Sequence, residues 1–441
     1  MITRERADVI FKLAFPIGIA LSTNMMMSVI DLAMVGKLGT NVTAAVGLSA
    51  FSYTLVLAFL NGIAPAVQGL IARLCGENSS EPKCLPLNGG LLLALIVGIP
   101  MMAFCYFTTS FFFSAISSDL AVTKVGAPFL RTLYLGLIAA GMLSAFKGHW
   151  AGVEKPKVFM VIVLFMNGLN IVLNYALIFG HFGAPRLGAT GAAIGTVVSL
   201  HVGLIVNYAL ARFRYKLDGF LVARPTQKLL LRILKLGLPA SFEEFFFSIG
   251  FVIFLWMMGK VGTVELAVTN VLVRVSGILG ILATAMGMAS ATLVSKSVGK
   301  RDLVDAVQWG WDTGILGVLL ITLLGVPLSV FAPQFLSLFL TDPQAIADAV
   351  MPLRLVASLT GIGSLIYIFG YTLISVGDGK RVVMVSFGTQ WGVFLPGVWL
   401  VGLHLKLGLM QVWLVYTAYA LLATALIVAI WTGGKWKTIK I

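Results

Sequence analysis

Twelve long apolar stretches divide the chain, at roughly 9–34, 44–72, 87–113, 122–148, 157–180, 187–211, 235–258, 265–295, 305–332, 345–375, 382–403 and 408–432. A helix needs about 20 apolar residues to cross a bilayer core, and each stretch is long enough. Backbone groups in lipid must be satisfied within the segment, which leaves helices or closed barrels. The stretches are too long and too uniformly apolar for barrel strands. Only 11% of the residues are charged, against 59% hydrophobic. A soluble domain carries about 25% charged residues, so water is not the solvent for most of this surface. The expected class is an all-α membrane protein with twelve transmembrane helices.

The first residues, "MITRERADVIFKLAFPIGIALSTNMMM", imitate a secretory signal with a basic start and an apolar run. No small-residue cleavage site follows, and the apolar pattern continues through Met34. It reads as a retained first span. The formal net charge is +14. With twelve spans, both termini and the middle loop share one side. That side collects Arg4, Arg6, Lys155, Lys157, Arg212, Arg214, Lys216, Lys296, Lys300, Arg301, Lys380, Arg381, Lys435 and Lys437. The opposite loops offer little beyond Lys37, Lys124, Arg186, Lys260 and Lys406. This is the positive-inside pattern, and it places both termini of a multi-pass protein in the cytoplasm. It accounts for the basic balance without nucleic acid, so membrane lipid is the expected macromolecular surroundings. Cys75, Cys84 and Cys105 show no zinc spacing, and the four histidines do not cluster. No cofactor is implied.

The chain repeats itself. "LAFP" at Pro16 becomes "LGLP" at Pro239, an offset of 223. The same offset carries Gly36, Lys37, Gly39 and Thr40 onto Gly259, Lys260, Gly262 and Thr263, and Arg131 onto Arg354. "GVEKPK" (Gly152–Lys157) loosely echoes "VGDGKR" (Val376–Arg381) at an offset of 224. The halves are expected at residues 1–215 and 235–441, joined by a cytoplasmic linker at 216–234. Six helices separate the repeats, an even number, so the halves have the same orientation, related by an axis along the membrane normal. Two pseudo-symmetric six-helix bundles suit alternating access of a cavity to either face.

Scaffold is shared by the halves, so chemistry is expected where they disagree. Asp31 lies well along the first span, and its counterpart is Phe254. Asn24, Met27, Ser28 and Asp31 fall on one side of a helix. An ionisable residue inside a membrane is a functional candidate by default. Pairing with Lys37, six residues on, is poor geometry on a helix. Asn167, Asn170 and Asn174 form an amide stripe on the fifth span, and the last two correspond to Phe394 and Val398. Amides serve a carboxyl group in either protonation state. They also glue membrane helices together, which is the structural reading of the stripe. Burial disfavours a charged carboxylate, so Asp31 suits proton uptake on one side and release on the other. Na+ at Asp31, Asn170 and Asn174 is the other coupling ion that such hard oxygen ligands would accept. Glu243 and Glu244 are read as a gate or second site, with an interfacial pairing to Lys235 or Arg232 as the alternative. Pro16 is a candidate hinge. Met25–Met27 and Phe245–Phe247 would suit the lining of a greasy cavity, but such residues more often face lipid or neighbouring helices.

"AFPIG…D…VGKLGT", "GATGAAIGTVVS" (Gly188–Ser199), "GVEKPK" and "VGDGKR" in this order resemble the multidrug and toxic compound extrusion (MATE) family, over nearly the whole chain. The lone first-span aspartate and the span-five stripe look like its DinF-like branch. The resemblance implies a MATE/MOP-type fold and an exporter of cationic or amphiphilic drugs, an antiporter driven by protons or Na+. It matches Asp31 to the family's first-span carboxylate, Asn24 to a polar position two turns before it, Asn170 and Asn174 to the span-five pair, and Thr196 to a span-six hydroxyl. The second of that pair can be an aspartate in the family; here Asn174 holds no charge. NorM-like members place a coupling carboxylate deeper in span seven than Glu243 and Glu244, so no family role carries over to these two. A monomer is expected. The rival reading is a flippase for lipid-linked or polyprenyl-linked glycans, which would need more basic residues in its cavity. An enzyme is disfavoured: H-E-x-x-H, G-x-S-x-G and the P-loop are all absent.

Overall fold

A computed structural model describes residues 2–77, 81–116 and 119–439. All regular structure among the described residues is helical. The first half runs through α1 (Arg4–Gly36), α2 (Thr40–Asn61), α3 (Ile63–Gly76), α4 (Leu85–Ile116), α5 (Leu120–Tyr134), α6 (Leu137–Gly152), α7 (Pro156–Phe179) and α8 (Ala189–Ala209). The second runs through α9 (Gln227–Val261), α10 (Thr263–Gly299), α11 (Leu303–Val330), α12 (Ala332–Leu336), α13 (Pro343–Ser375), α14 (Gly379–Thr389), α15 (Leu395–Val398) and α16 (Leu409–Thr432). Eleven helical stretches are long and apolar enough to cross a bilayer, and α5 with α6, bent by 46°, makes a twelfth. The chain is a multi-pass membrane protein.

The helices gather into two compact units, Ile19–Ser241 and Met1–Gly18 with Phe242–Ile441. The sequence boundary at 216–234 therefore differs from the packing boundary. The linker itself is pinned to the first unit: Asn88 Nδ2 donates to the Gly219 and Ala223 carbonyls at 3.0 and 2.8 Å, and Leu221 N–H donates back to Asn88 Oδ1 at 3.1 Å. The start of α9 also packs there. Ser241 Oγ donates to the Phe59 carbonyl at 2.9 Å. A Cβ on Gly62 would sit 2.2 Å from the Gly237 carbonyl oxygen, so only glycine lets these backbones meet.

The start of α1 belongs to the other unit by packing and by charge: Ile10, Leu13 and Ala14 form one buried cluster with Met286, Ala289, Leu293 and Ile368. Arg6 Nη1 donates to Asp305 Oδ1 at 2.8 Å, and its Nε donates to Asp312. Its guanidinium lies over the Trp309 ring at 3.6 Å. Asp305 also accepts from Ser297 and from the Trp309 indole. The chain passes between units after Gly18 and after Ser241, an offset of 223 again. Each crossing follows a helix-interior proline by two residues, Pro16 and Pro239.

Candidate functional site

The first unit holds a cavity of about 330 Å³. Four helices supply most of its walls by the 3–4 residue spacing of a helix face, and Asn61 at the end of α2 adds to them. From α1 come Asn24, Met27, Ser28 and Asp31; from α6 come Ala140, Leu143, Ser144 and Lys147. Asn167 and Asn170 of α7 and Thr196, Ser199 and Asn207 of α8 complete the polar lining. The stripe and the aspartate inferred from sequence therefore face one space. Met27 lines it too, the cavity-facing one of the two readings open for the methionine run.

A chain of hydrogen bonds runs from Asp31 through α7 to α8. Asn174 Nδ2 donates to Asp31 Oδ1 at 2.6 Å and to Asn170 Oδ1 at 3.1 Å. Asn170 Nδ2 donates to Thr196 Oγ1 at 3.3 Å, and Thr196 donates onward to the Ala192 carbonyl at 3.1 Å. Separately, Asn167 Nδ2 donates to Asn24 Oδ1 at 3.1 Å. All five coupling residues expected from sequence lie in this nest. Asn174 is fully buried, with Asn170 nearly so. Lys37 takes no part: its ammonium lies 6.0 Å from the Phe179 ring centroid.

Gly195 makes the nest possible. A Cβ there would lie 2.3 Å from Asn174 Oδ1. That oxygen is buried without a hydrogen-bond partner. The amide therefore spends both donors on its polar neighbours and keeps an unused acceptor. As drawn it serves an ionised Asp31. Turned by half a rotation, its oxygen would face Asp31 and accept from a protonated carboxyl. An unmet buried polar atom costs about 1–3 kcal/mol, small enough for the two arrangements to interconvert. A cation at Asp31 would need the same rotation, because the nearest amide atom to the carboxylate is a donor. Among the described residues no group of three His, Cys, Asp or Glu side chains forms a metal site.

The second unit inverts this chemistry at the matching positions. Phe254, the counterpart of Asp31, is fully buried with its ring 4.9 Å from that of Phe394, the counterpart of Asn170. Val398, the counterpart of Asn174, is buried in the same cluster with Trp413. The repeat thus brings the same three positions together twice, as a polar nest and as an aromatic core. A smaller cavity of about 120 Å³ lies in this unit, lined by Phe247, Phe251, Tyr367, Gln390 and Tyr416 among others. Glu243 Oε1 accepts from Ser386 Oγ at 3.0 Å. This bond replaces the pairing with Lys235 or Arg232 considered from sequence. Neither Glu243 nor Glu244 lines the 330 Å³ cavity.

Sequence reasoning missed much of the lining, including the polar residues Asn61, Ser144, Lys147, Ser199 and Asn207. Lys147 carried a usable signal. Offsets of 223 and 224 carry it to Gly370 and Tyr371, so it too is a charge present in one half only.

A family model described as MatE matches residues 16–176 and again 239–400. The chain is 24% identical over 434 residues to the "Probable multidrug resistance protein NorM" of Thermotoga maritima, covering 97% of this chain and 92% of that one. It is 27% identical over 336 residues to a "Probable multidrug resistance protein NorM" of Bacillus cereus, covering 75% and 74%. A solved outward-facing multidrug resistance MATE family transporter of the MOP superfamily superposes with a TM-score of 0.88 at 19% identity, covering 98% and 97%.

Proposed function

Since the chain belongs to the MatE family of membrane transporters, we propose that it is a multidrug exporter that exchanges protons for cationic or amphiphilic drugs by alternating access. One observation carries this reading: a carboxylate and its amide nest occupy one unit, and the repeat-related positions of the other unit are aromatic core. A helix-gluing role alone would not require the carboxylate. Asp31 is the group that takes the proton or the drug cation. Asn174 follows its charge by turning its amide, with Asn170, Thr196 and Asn24 holding the surrounding geometry. Pro16 is the hinge, because α1 leaves one unit for the other just beyond it. Glu243 is a second site or gate, held by Ser386 in the second unit, and Glu244 beside it is a candidate for the same role. The expected setting is the bacterial inner membrane, with both termini in the cytoplasm and a monomer as the working unit.

The driving force is sufficient. One proton gains about 1.4 kcal/mol per pH unit, and a tenfold drug gradient costs about 1.4; the roughly 2.3 kcal/mol per 100 mV that the proton gains from the potential is offset when a monovalent cation leaves, so the pH gradient drives that exchange. The flippase reading is not favoured, because Lys147 is the one basic residue lining the cavity, where a pyrophosphate calls for several. The test is dye efflux from proteoliposomes under an imposed pH gradient or Na+ gradient, wild type against Asp31→Asn. Loss of pH-driven efflux in the variant is expected. Efflux equal to wild type refutes the role of Asp31, and a response to Na+ alone would replace the proton by sodium.

A further inference from the structure

One repeat-related pair keeps its charge in both units. Arg131 and Arg354 correspond at the offset of 223. The helices that bear them begin at corresponding residues too, α5 at Leu120 and α13 at Pro343. An aspartate caps each: Asp119 accepts from the Ala121 N–H at 2.7 Å, and Asp342 from the Gln344 N–H at 3.1 Å. The caps fix where the helices start, so both arginines lie eleven residues in, about 16 Å along the axis. The span of α5 with α6 runs from Leu120 to Gly152, and α13 from Pro343 to Ser375. Each is about 49 Å long, against a hydrocarbon core of about 30 Å. The arginines therefore sit among the acyl chains, a few ångströms inside one boundary. In each unit three spans come first, so this is the face opposite the start of the first span. The positive-inside pattern leaves that face poor in basic residues.

Neither side chain is shut inside its unit: Arg354 is exposed and Arg131 half-buried. Arg131 Nη2 donates to Ser110 Oγ of α4 at 2.7 Å, and its guanidinium lies 5.8 Å from the Tyr106 ring centroid. Arg354 Nε donates to the Ser329 carbonyl of α11 at 3.2 Å. Neither arginine pairs with a carboxylate among the described residues. A guanidinium has five N–H donors, and one neutral oxygen meets few of them. Beside each serine runs an exposed apolar stripe at helical spacing: Phe104, Phe107 and Phe111 on α4, and Leu323, Val326 and Val330 on α11. In a helix each Cα–Cβ bond tilts toward the N-terminus, so both arginines lean toward the near boundary, where phospholipid phosphates lie.

We propose that Arg131 and Arg354 each bind the phosphate of one phospholipid, whose acyl chains lie along the neighbouring apolar stripe. The phosphate supplies the counter-charge that the unit lacks. A lone charge at this depth is costly, and a guanidinium meets a phosphate through two parallel hydrogen bonds. An orientation signal would place the base on the opposite face, and packing alone would not call for a cation twice. Asp31 and its amides are confined to one unit, but both units meet lipid, and this charge is kept in both. The inference is independent of what the transporter carries.

Native mass spectrometry of the full-length protein in an uncharged detergent tests it. The probes are phosphatidylglycerol and diacylglycerol with the same acyl chains, added at equal concentration. Wild type should retain the phospholipid in preference to the diacylglycerol. The arginine sites are read by difference, since basic residues elsewhere also attract phospholipid. Arg131→Gln and Arg354→Gln should each hold one phosphatidylglycerol fewer than wild type, and the double variant two fewer. Arg131→Lys and Arg354→Lys should keep the wild-type number, which separates lost charge from disturbed packing. Equal retention of the two lipids by wild type overturns the proposal, with no variant needed. So does an unchanged count in the double variant. Retention of added inorganic phosphate in place of the lipid would mark a free-anion site, and overturns it as well.

Discussion

Gly195→Ala is a perturbation that adds one methyl group and changes no charge. The new Cβ would lie 2.3 Å from Asn174 Oδ1, inside the 3.0 Å that real Cβ atoms respect. The amide must retreat by about 0.7 Å, or α7 and α8 must part, at a position where protein interiors are close-packed. Asn174 donates to Asp31 at 2.6 Å and to Asn170 at 3.1 Å, so the displacement is felt at the carboxylate. Losing one hydrogen bond to a charged group costs about 1.5–3 kcal/mol. At 1.4 kcal/mol per decade, pH-driven efflux at limiting dye should fall roughly 10- to 150-fold in kcat/KM. Asn174→Ala removes the same hydrogen bond together with the atom that the methyl group strikes. The double variant should therefore be no worse than Asn174→Ala alone, a strong departure from additivity. The assay is dye efflux from proteoliposomes, normalised to folded protein by size-exclusion chromatography. Gly195→Ala within twofold of wild type refutes the reasoning. Independent, multiplicative losses in the double variant refute it as well.

Pro16→Ala restores a backbone hydrogen bond at the proposed hinge and should slow turnover several-fold, read as initial efflux rate at saturating dye; an unchanged rate removes the hinge. Phe254→Asp places a charge in the aromatic cluster of Phe394 and Trp413, where no basic residue offsets its desolvation and the unpaired Trp413 indole N–H is a lone donor. It should cost more than ~4 kcal/mol and abolish the monodisperse peak on size exclusion; a well-folded variant would mean that this core is wetter than its packing implies. Arg6→Gln leaves Asp312 buried without its cation, at a cost of about 3 kcal/mol. A lowered melting temperature by intrinsic fluorescence is expected, and an unchanged one denies the N-terminal anchor any role in stability. Exchange of one proton for one monovalent cation moves no net charge. Collapsing the membrane potential at constant pH gradient should therefore spare efflux of a monovalent cationic dye, and slowed efflux would mean that net charge moves.

The spans and the internal repeat were legible because lipid imposes a crude, long-wavelength pattern on sequence. Once the offset was known, Asp31, Asn170 and Asn174 stood out as departures from it, and the structure joins them by hydrogen bonds. The packing boundary was not legible. The start of α1 belongs with the second unit because Ile10, Leu13 and Ala14 pack against Met286, Leu293 and Ile368 and because Arg6 finds Asp305 and Asp312, about 300 positions away. Nothing local in "TRERADV" announces such a partner. Gly195 was equally silent, since its importance lies in an atom it lacks and in the amide that fills the space. Lys147 was passed over for a different reason. It stands close to a basic, interface-facing segment, and orientation signals are many while cavity residues are few.

The asymmetry has a physical logic. Two matched bundles can each be built from the same helix faces, but a buried titratable group has to be solvated by its own surroundings wherever it is placed. Confining the carboxylate to one unit restricts that cost to one nest, in which Asn174 serves both charge states. The equivalent place in the other unit is then free to be filled by the apolar side chains of Phe254, Phe394 and Val398. On the reading proposed above, the packed bundle moves as a body and the bundle with the polar nest responds to charge. Transplanting the nest by Phe254→Asp, Phe394→Asn and Val398→Asn together tests this division of labour. The triple variant should regain part of the stability lost by Phe254→Asp alone, because the amides then solvate the new carboxylate, and it should not gain a second coupled proton. Finding two protons exchanged per drug, by pH-dye measurement beside efflux, would show that the units are interchangeable and that the division is an accident of sequence.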